Sequence, residues 1–133
     1  GRRAESCRHM ANPRQKLGQS GESVALQYLQ KRGYKLLEKN YRNRIGEIDI
    51  IARDGDTLVF VEVKTRRSER YGSPRLAITW HKQRKISQTA LAYLKYTRQM
   101  DCKARFDVVF VKSGGVRPEI ELIQNAFPLC YDG

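Results

Sequence analysis

Between Gly46 and Arg66 the chain reads GEIDIIARDGDTLVFVEVKTR, two runs rich in β-branched residues joined by Asp54-Gly55-Asp56. The runs, Glu47 to Arg53 and Leu58 to Lys64, have the composition of strands, and the Asp-Gly-Asp segment supplies turn residues, so a β-hairpin is expected. Side chains alternate across a strand. In the second arm Leu58, Phe60, Glu62 and Lys64 therefore share one face, and Val59, Val61 and Val63 share the other. Both faces are otherwise apolar, the pattern of a strand covered on each side. Glu62, Lys64 and Asp49 thus fall where a buried sheet expects hydrocarbon. A desolvated carboxylate is costly unless a cation compensates it. Carboxylates converging beside a lysine point to a divalent cation with a preference for hard oxygen ligands.

The rest of the chain supplies one mixed layer system. Helical spacing of Leu17, Val24, Ala25, Tyr28 and Leu29 marks a helix over Gln15 to Lys31, stopped at Gly33. Glu22 lies beside that apolar stripe, close enough to face the core. Tyr34 to Tyr41 reads as a strand, with Asn43 to Gly46 as turn residues before the hairpin. A second helix is expected from about Thr79 to Gln99, with Ile86, Ala90, Tyr93, Leu94 and Thr97 on its inner stripe. Arg105 to Lys112 reads as a buried strand and Pro118 to Gln124 as a shorter edge strand. Because a helix connects the third and fourth strands, that pair is expected to be parallel with a right-handed crossover. The class is α/β, in the order αβββαββ around a mixed sheet.

With 133 residues and 40% hydrophobic content, residues 11–133 are enough for one domain. Residues 1–10, GRRAESCRHM, read as a vector-derived tag. They hold three Arg and one Glu, so removing them leaves 23 basic and 13 acidic side chains and lowers the net charge from +12 to +10. A basic excess of this size implies a polyanionic partner, nucleic acid first. No apolar run approaches the roughly 20 residues of a membrane span, and cytoplasmic residence is the default expectation. Cys7, Cys102 and Cys130 are odd in number and lack CxxC spacing, which argues against a disulfide framework and a zinc site.

Asp49, then Glu62-Val63-Lys64, with Glu22 on a preceding helix, resembles the PD-(D/E)xK nuclease superfamily. The longer run GQSGESVALQYLQKRGYKLLEKNYRNRIGEIDIIARDGDTLVFVEVKTR, a KQRK helix and RFDVVFV are similar to the YraN-type family of endonuclease-like proteins, over roughly Gly18 to Phe127. The likeness implies a restriction-endonuclease-like three-layer sandwich. It also implies Mg2+ or Mn2+ held by Asp49, Glu62, Glu22 and the Val63 carbonyl, with Asp49, Glu62 and Lys64 as the catalytic set. Ile48 stands where many superfamily members have proline, and Gln88 is followed four residues later by Ala92 rather than tyrosine. Those departures favour a branch similar to archaeal Holliday junction resolvases, hence cleavage of structured or branched DNA; two symmetric cuts suit a homodimer, but the sequence shows no clear dimer seam and leaves the oligomeric state open.

Arg66, Arg67, Arg70 and Arg75 in the loop after the hairpin, and Lys82, Arg84 and Lys85 on the second helix, are the expected phosphate contacts. Blander readings stand beside these. Glu62 and Lys64 can form a simple ion pair, Glu47 can be solvated, Asp107 can pair with an arginine, and the basic loop can be a solvated charge run. Trp80, Tyr93 and Tyr96 suit core or surface anchoring better than stacking. A non-catalytic nucleic-acid-binding or adaptor module that keeps a nuclease fold is the alternative function. A paired-carboxylate glycosidase is disfavoured by Lys64 and by the basic charge.

Overall fold

The computed structural model describes residues 13–66, 78–112 and 117–128. Helix α1 (Pro13–Lys31) ends as its sequence dictates. Gly33 takes φ +97°, and the N–H groups of Gly33 and Tyr34 bond back to the carbonyls of Gln30 and Leu29, a glycine-terminated helix end. The chain then runs as β1 (Lys35–Arg42), β2 (Glu47–Asp54) and β3 (Thr57–Arg66), crosses through helix α2 (Trp80–Tyr96), and finishes as β4 (Lys103–Lys112) and β5 (Glu119–Phe127). Between β1 and β2, Asn43 makes the turn: its Oδ1 accepts the N–H groups of Ile45 and Gly46. Between β2 and β3, Gly55 supplies the positive φ of the tight turn.

The strands form one sheet in the order β1-β2-β3-β4-β5. β1, β2 and β3 are antiparallel neighbours, β3 and β4 are parallel, and β5 returns antiparallel on β4. The parallel pair is the one the intervening helix requires. α1 covers one face, where Ala25 and Leu29 pack on Ile50, Ala52, Val59, Val61, Val109 and Val111. α2 covers the other, where Ile86, Ala90, Tyr93 and Leu94 pack on Leu58, Phe60, Phe106, Val108 and Phe110. The result is a three-layer α/β arrangement. The alternation expected for the second hairpin arm is met, with Leu58 and Phe60 in the α2 core and Val59 and Val61 in the α1 core.

β5 extends to Phe127 rather than ending near Gln124, because Phe127 stacks on Phe106 with centroids 4.9 Å apart. Beneath the α1 face, Asp107 is fully buried and its four contacts are structural. It accepts from Tyr34 Oη at 2.7 Å, from Arg105 Nε and Nη2 at 3.0 and 3.3 Å, and from the Asn125 N–H at 2.9 Å. Arg105 also donates to Asp54 at 2.7 Å. This network ties β2, β4, β5 and the end of α1 together. The pairing of Asp107 with an arginine, rather than a catalytic role, is the reading that stands. Cys102 is an exposed free thiol; the other two cysteines and residues 1–10 lie outside the described residues.

Candidate functional site

The β2–β3 ladder runs from Asp54↔Thr57 to Ile50↔Val61 and goes no further. One residue beyond it, Asp49 reaches across with its side chain, and Oδ2 accepts the Val63 N–H at 2.8 Å. The pleat breaks at the same place. Ile48 is buried in the α2 core and Ile50 in the α1 core, although residues two apart on a regular strand share a face. Asp49 is therefore the point where β2 rolls away from β3, and its carboxylate fills the opening. On the facing strand Glu62, only 7% exposed, follows Leu58 and Phe60 on the α2 face. Two ammonium groups meet its Oε2, Lys64 Nζ at 3.8 Å and Lys82 Nζ at 3.7 Å.

Both acids are held in an unfavourable state. Burial pushes the Glu62 carboxyl up, and the neighbouring Asp49 pushes it further, against the pull of Lys82 and Lys64. Burial likewise raises Asp49, more than its bond from Val63 and the attraction of Lys82 lower it. Glu22, on α1, is half-buried and also raised, first by burial and then by Asp49, while a hydrogen bond from the Asn40 side chain works the other way. Asn40 sits at φ +53° within β1, a backbone region that asparagine enters more readily than most residues. Among the described residues no group of three or more His, Cys, Asp or Glu side chains is placed to hold a metal. Asp49 and Glu62 are thus brought together as a pair, with Glu22 alongside but not completing a cluster. Two hard-oxygen ligands still fit magnesium or manganese, which commonly take one or two protein carboxylates with water and substrate phosphate making up the rest.

Residues 21–111, which contain Glu22, the hairpin, α2 and most of β4, match the family model described as "Uncharacterised protein family UPF0102". The chain belongs to the UPF0102 family. It is 57% identical over 115 residues to a UPF0102 protein of Geobacter metallireducens, covering 86% of this chain and 94% of that one. It is also 57% identical over 118 residues to one of Desulfosudis oleivorans, covering 89% and 94%. A UPF0102 protein of Syntrophus aciditrophicus is 56% identical over 117 residues, covering 86% and 90%. This is the YraN-type family whose motifs the sequence carries.

The remaining expected contacts of this UPF0102 chain divide in three. Arg67, Arg70 and Arg75 lie outside the described residues, and Arg66 closes β3. Lys85 is exposed on α2. Lys82 sits on Glu62, and the Arg84 guanidinium lies over the Trp80 ring, 5.6 Å from its centroid. Glu47 is exposed and pairs with Arg42 at 3.3 Å, so it stands outside the acid pair. Tyr93 is core, edge-on to Tyr41 and Phe60. Lys82 as a partner of Glu62, and Asn40 as a partner of Glu22, were not found by sequence reasoning. The only sequence signal for Asn40 was a strand-disfavoured residue inside KLLEKNYR. No helix among the described residues is long and apolar enough to cross a membrane.

Proposed function

We propose that this chain is a divalent-metal-dependent nuclease of the PD-(D/E)xK kind, hydrolysing phosphodiester bonds in structured or branched DNA in the manner of Holliday junction resolvases. One observation carries the reading. A buried carboxylate, Glu62, and a half-buried one, Asp49, are held close enough to repel beside Lys64, at the point where β2 and β3 part. A fold that needed only stability would place hydrocarbon there, and destabilised acid clusters mark functional sites.

Asp49 and Glu62, joined by Glu22 and the Val63 carbonyl, would hold Mg2+ or Mn2+. When bound, such an ion stabilises charge on a phosphate and makes a coordinated water more acidic. The chain's own groups do the rest. Val63 N–H fixes the Asp49 carboxylate through Oδ2, which would orient it toward the ion. Lys64, anchored against Glu62, orients the attacking water and counters negative charge growing on the phosphoryl oxygens. Water adds to phosphorus, the bond to the leaving ribose oxygen breaks, and that oxygen takes up a proton. Arg66, Arg67, Arg70, Arg75, Lys82, Arg84 and Lys85 would grip flanking phosphates, their attraction falling with salt. Two copies of the chain would place two such sites on a symmetric junction.

A second reading is favoured by a specific contact. Lys64 and Lys82 together balance Glu62 without any ion, as a non-catalytic nucleic-acid-binding or adaptor module would require. The deciding experiment incubates the chain with duplex, single-stranded, flap and four-way-junction DNA in Mg2+ or Mn2+. Cleavage should disappear in both Lys64→Ala and Asp49→Ala. Equal cutting by parent and variants would refute the site, and salt-sensitive DNA binding with neither cutting nor manganese binding would establish the adaptor.

A further inference from the structure

Trp80, the chain's one tryptophan, opens α2 directly after the Thr79 cap and leaves 62% of its surface in solvent. So large an apolar ring is costly to leave wet. Its neighbour Ile78 is buried, and Ile86, six residues after Trp80, is too, so core space is within reach of this segment and the indole does not take it. Instead its ring lies against Arg84, whose guanidinium carbon is 5.6 Å from the centroid. The first turn reads Trp80-His81-Lys82-Gln83, and Lys82 in that turn contacts Glu62 of the acid pair. Gln83, three residues after Trp80 and so beside it on the helix surface, borders a cleft of about 340 Å³. Phe110 and Ile123 give that cleft an apolar lining, and Gln83, Gln124 and Asn125 give it amide groups.

A planar, exposed aromatic backed by a guanidinium and flanked by basic residues is the equipment that holds an unstacked base, since every base offers a π-face. A base inside a continuous duplex is already stacked on its neighbours and has no face to offer. We infer that Trp80, supported by Arg84, stacks an unpaired nucleobase at the opening of α2, across that helix from the side on which Lys82 contacts Glu62, so that the substrate carries a single-stranded or extruded nucleotide flanking the cut. This deepens the proposed nuclease reading and rests on it for the word "cut", but the stacking itself does not depend on hydrolysis. The neighbouring cleft, within the size range of small-ligand pockets, receives the edge of the base or of its neighbour.

The test uses the full chain in EDTA, where no metal-dependent cleavage can proceed. Because Trp80 is the single indole, its fluorescence reports the site directly. An oligothymidylate single strand should quench that emission saturably, while a blunt duplex of equal length should bind with little quenching. Binding of labelled oligonucleotides, followed by anisotropy, should weaken about 5- to 150-fold for the single strand in Trp80→Ala, the range that base–aromatic stacking commands. The duplex should change less than about twofold on the same grounds, and Trp80→Phe should restore part of the single-strand binding. Equal losses on both substrates, no loss on either, or an emission that follows protein concentration and ignores DNA would overturn the inference, the last by assigning Trp80 to a protein contact. Selective stacking in a chain that cuts nothing would leave the platform standing and remove the nuclease reading alone.

Discussion

Replacing Lys82 by methionine separates two roles that a cation near an acid pair can have. Its Nζ lies 3.7 Å from Glu62 Oε2 and also attracts Asp49. Unit charges about 4 Å apart interact by about 1 kcal/mol in water and about 4 kcal/mol at the effective dielectric of a protein surface. The Lys82 side chain is 44% exposed, so solvent screens the contact toward the lower figure, about 1 to 2 kcal/mol. That is also the cost of evicting the ammonium when a divalent ion arrives. In Lys82→Met the side-chain length is retained and the competing charge is gone. Manganese affinity without DNA, measured by calorimetry near neutral pH, should therefore rise about 5- to 30-fold, the equivalent of that energy. DNA affinity should move the opposite way, with the salt dependence of binding reduced by about one phosphate contact. A lysine that touched only phosphate would give the second effect without the first. If the parent binds manganese measurably and Lys82→Met binds it equally or more weakly, the argument from the Glu62 contact fails.

Other perturbations test the frame around the pair. Burial raises both Asp49 and Glu62 from their ordinary carboxyl values, so their protonated forms favour the fold. Their stabilising contribution is complete below about pH 4, where the unfolded chain titrates, and is lost as pH rises through the higher folded values. Asp49→Asn should accordingly raise the melting temperature at neutral pH by a few degrees, about 0.5 to 2 kcal/mol, and flatten its decline from pH 4 upward in metal-free melts; coincident parent and variant curves would contradict this. Asp107→Ala strips Arg105 and Tyr34 of a fully buried partner, and should cost about 3 to 5 kcal/mol in denaturant unfolding; a loss under about 1 kcal/mol would show the network to be dispensable. A Cβ on Gly21 would lie 2.5 Å from Thr65 Oγ1, so Gly21→Ala should destabilise by about 1 to 3 kcal/mol. Thr65→Ala should recover most of that loss, and failure of the rescue would mean that α1 does not press on β3 there.

What the sequence made legible, and what it hid, follow from the range of each interaction. The hairpin, both helices and the parallel β3–β4 crossover are set by local periodicity and connection length, and each appears where those patterns place it, except that α2 ends at Tyr96 and Thr97 caps it rather than lying on its inner stripe. Glu62 and Lys64 on one face of β3 follow from alternation alone, as does the buried stripe of α2. The partners of the acid pair follow from neither. Lys82 reaches Glu62 only because the crossover lays the start of α2 over the far part of β3, a tertiary fact that the KQRK run does not encode; read alone, that run is a basic helix face. The hidden step at Asp49 is of the same kind. Strict alternation puts Ile48 and Ile50 in one core, yet they lie in two, and Asn40 in the adjoining strand takes a positive φ. Consistency among pattern, pleat and polarity specifies a fold, and natural chains depart from it chiefly where function requires. Here the broken pleat, the turned asparagine and the partly desolvated carboxylates all gather around Asp49. A β2 that kept its pleat would hold its backbone against Val63 and leave no opening for the Asp49 side chain, so the irregularity that sequence rules miss is the feature that creates the site.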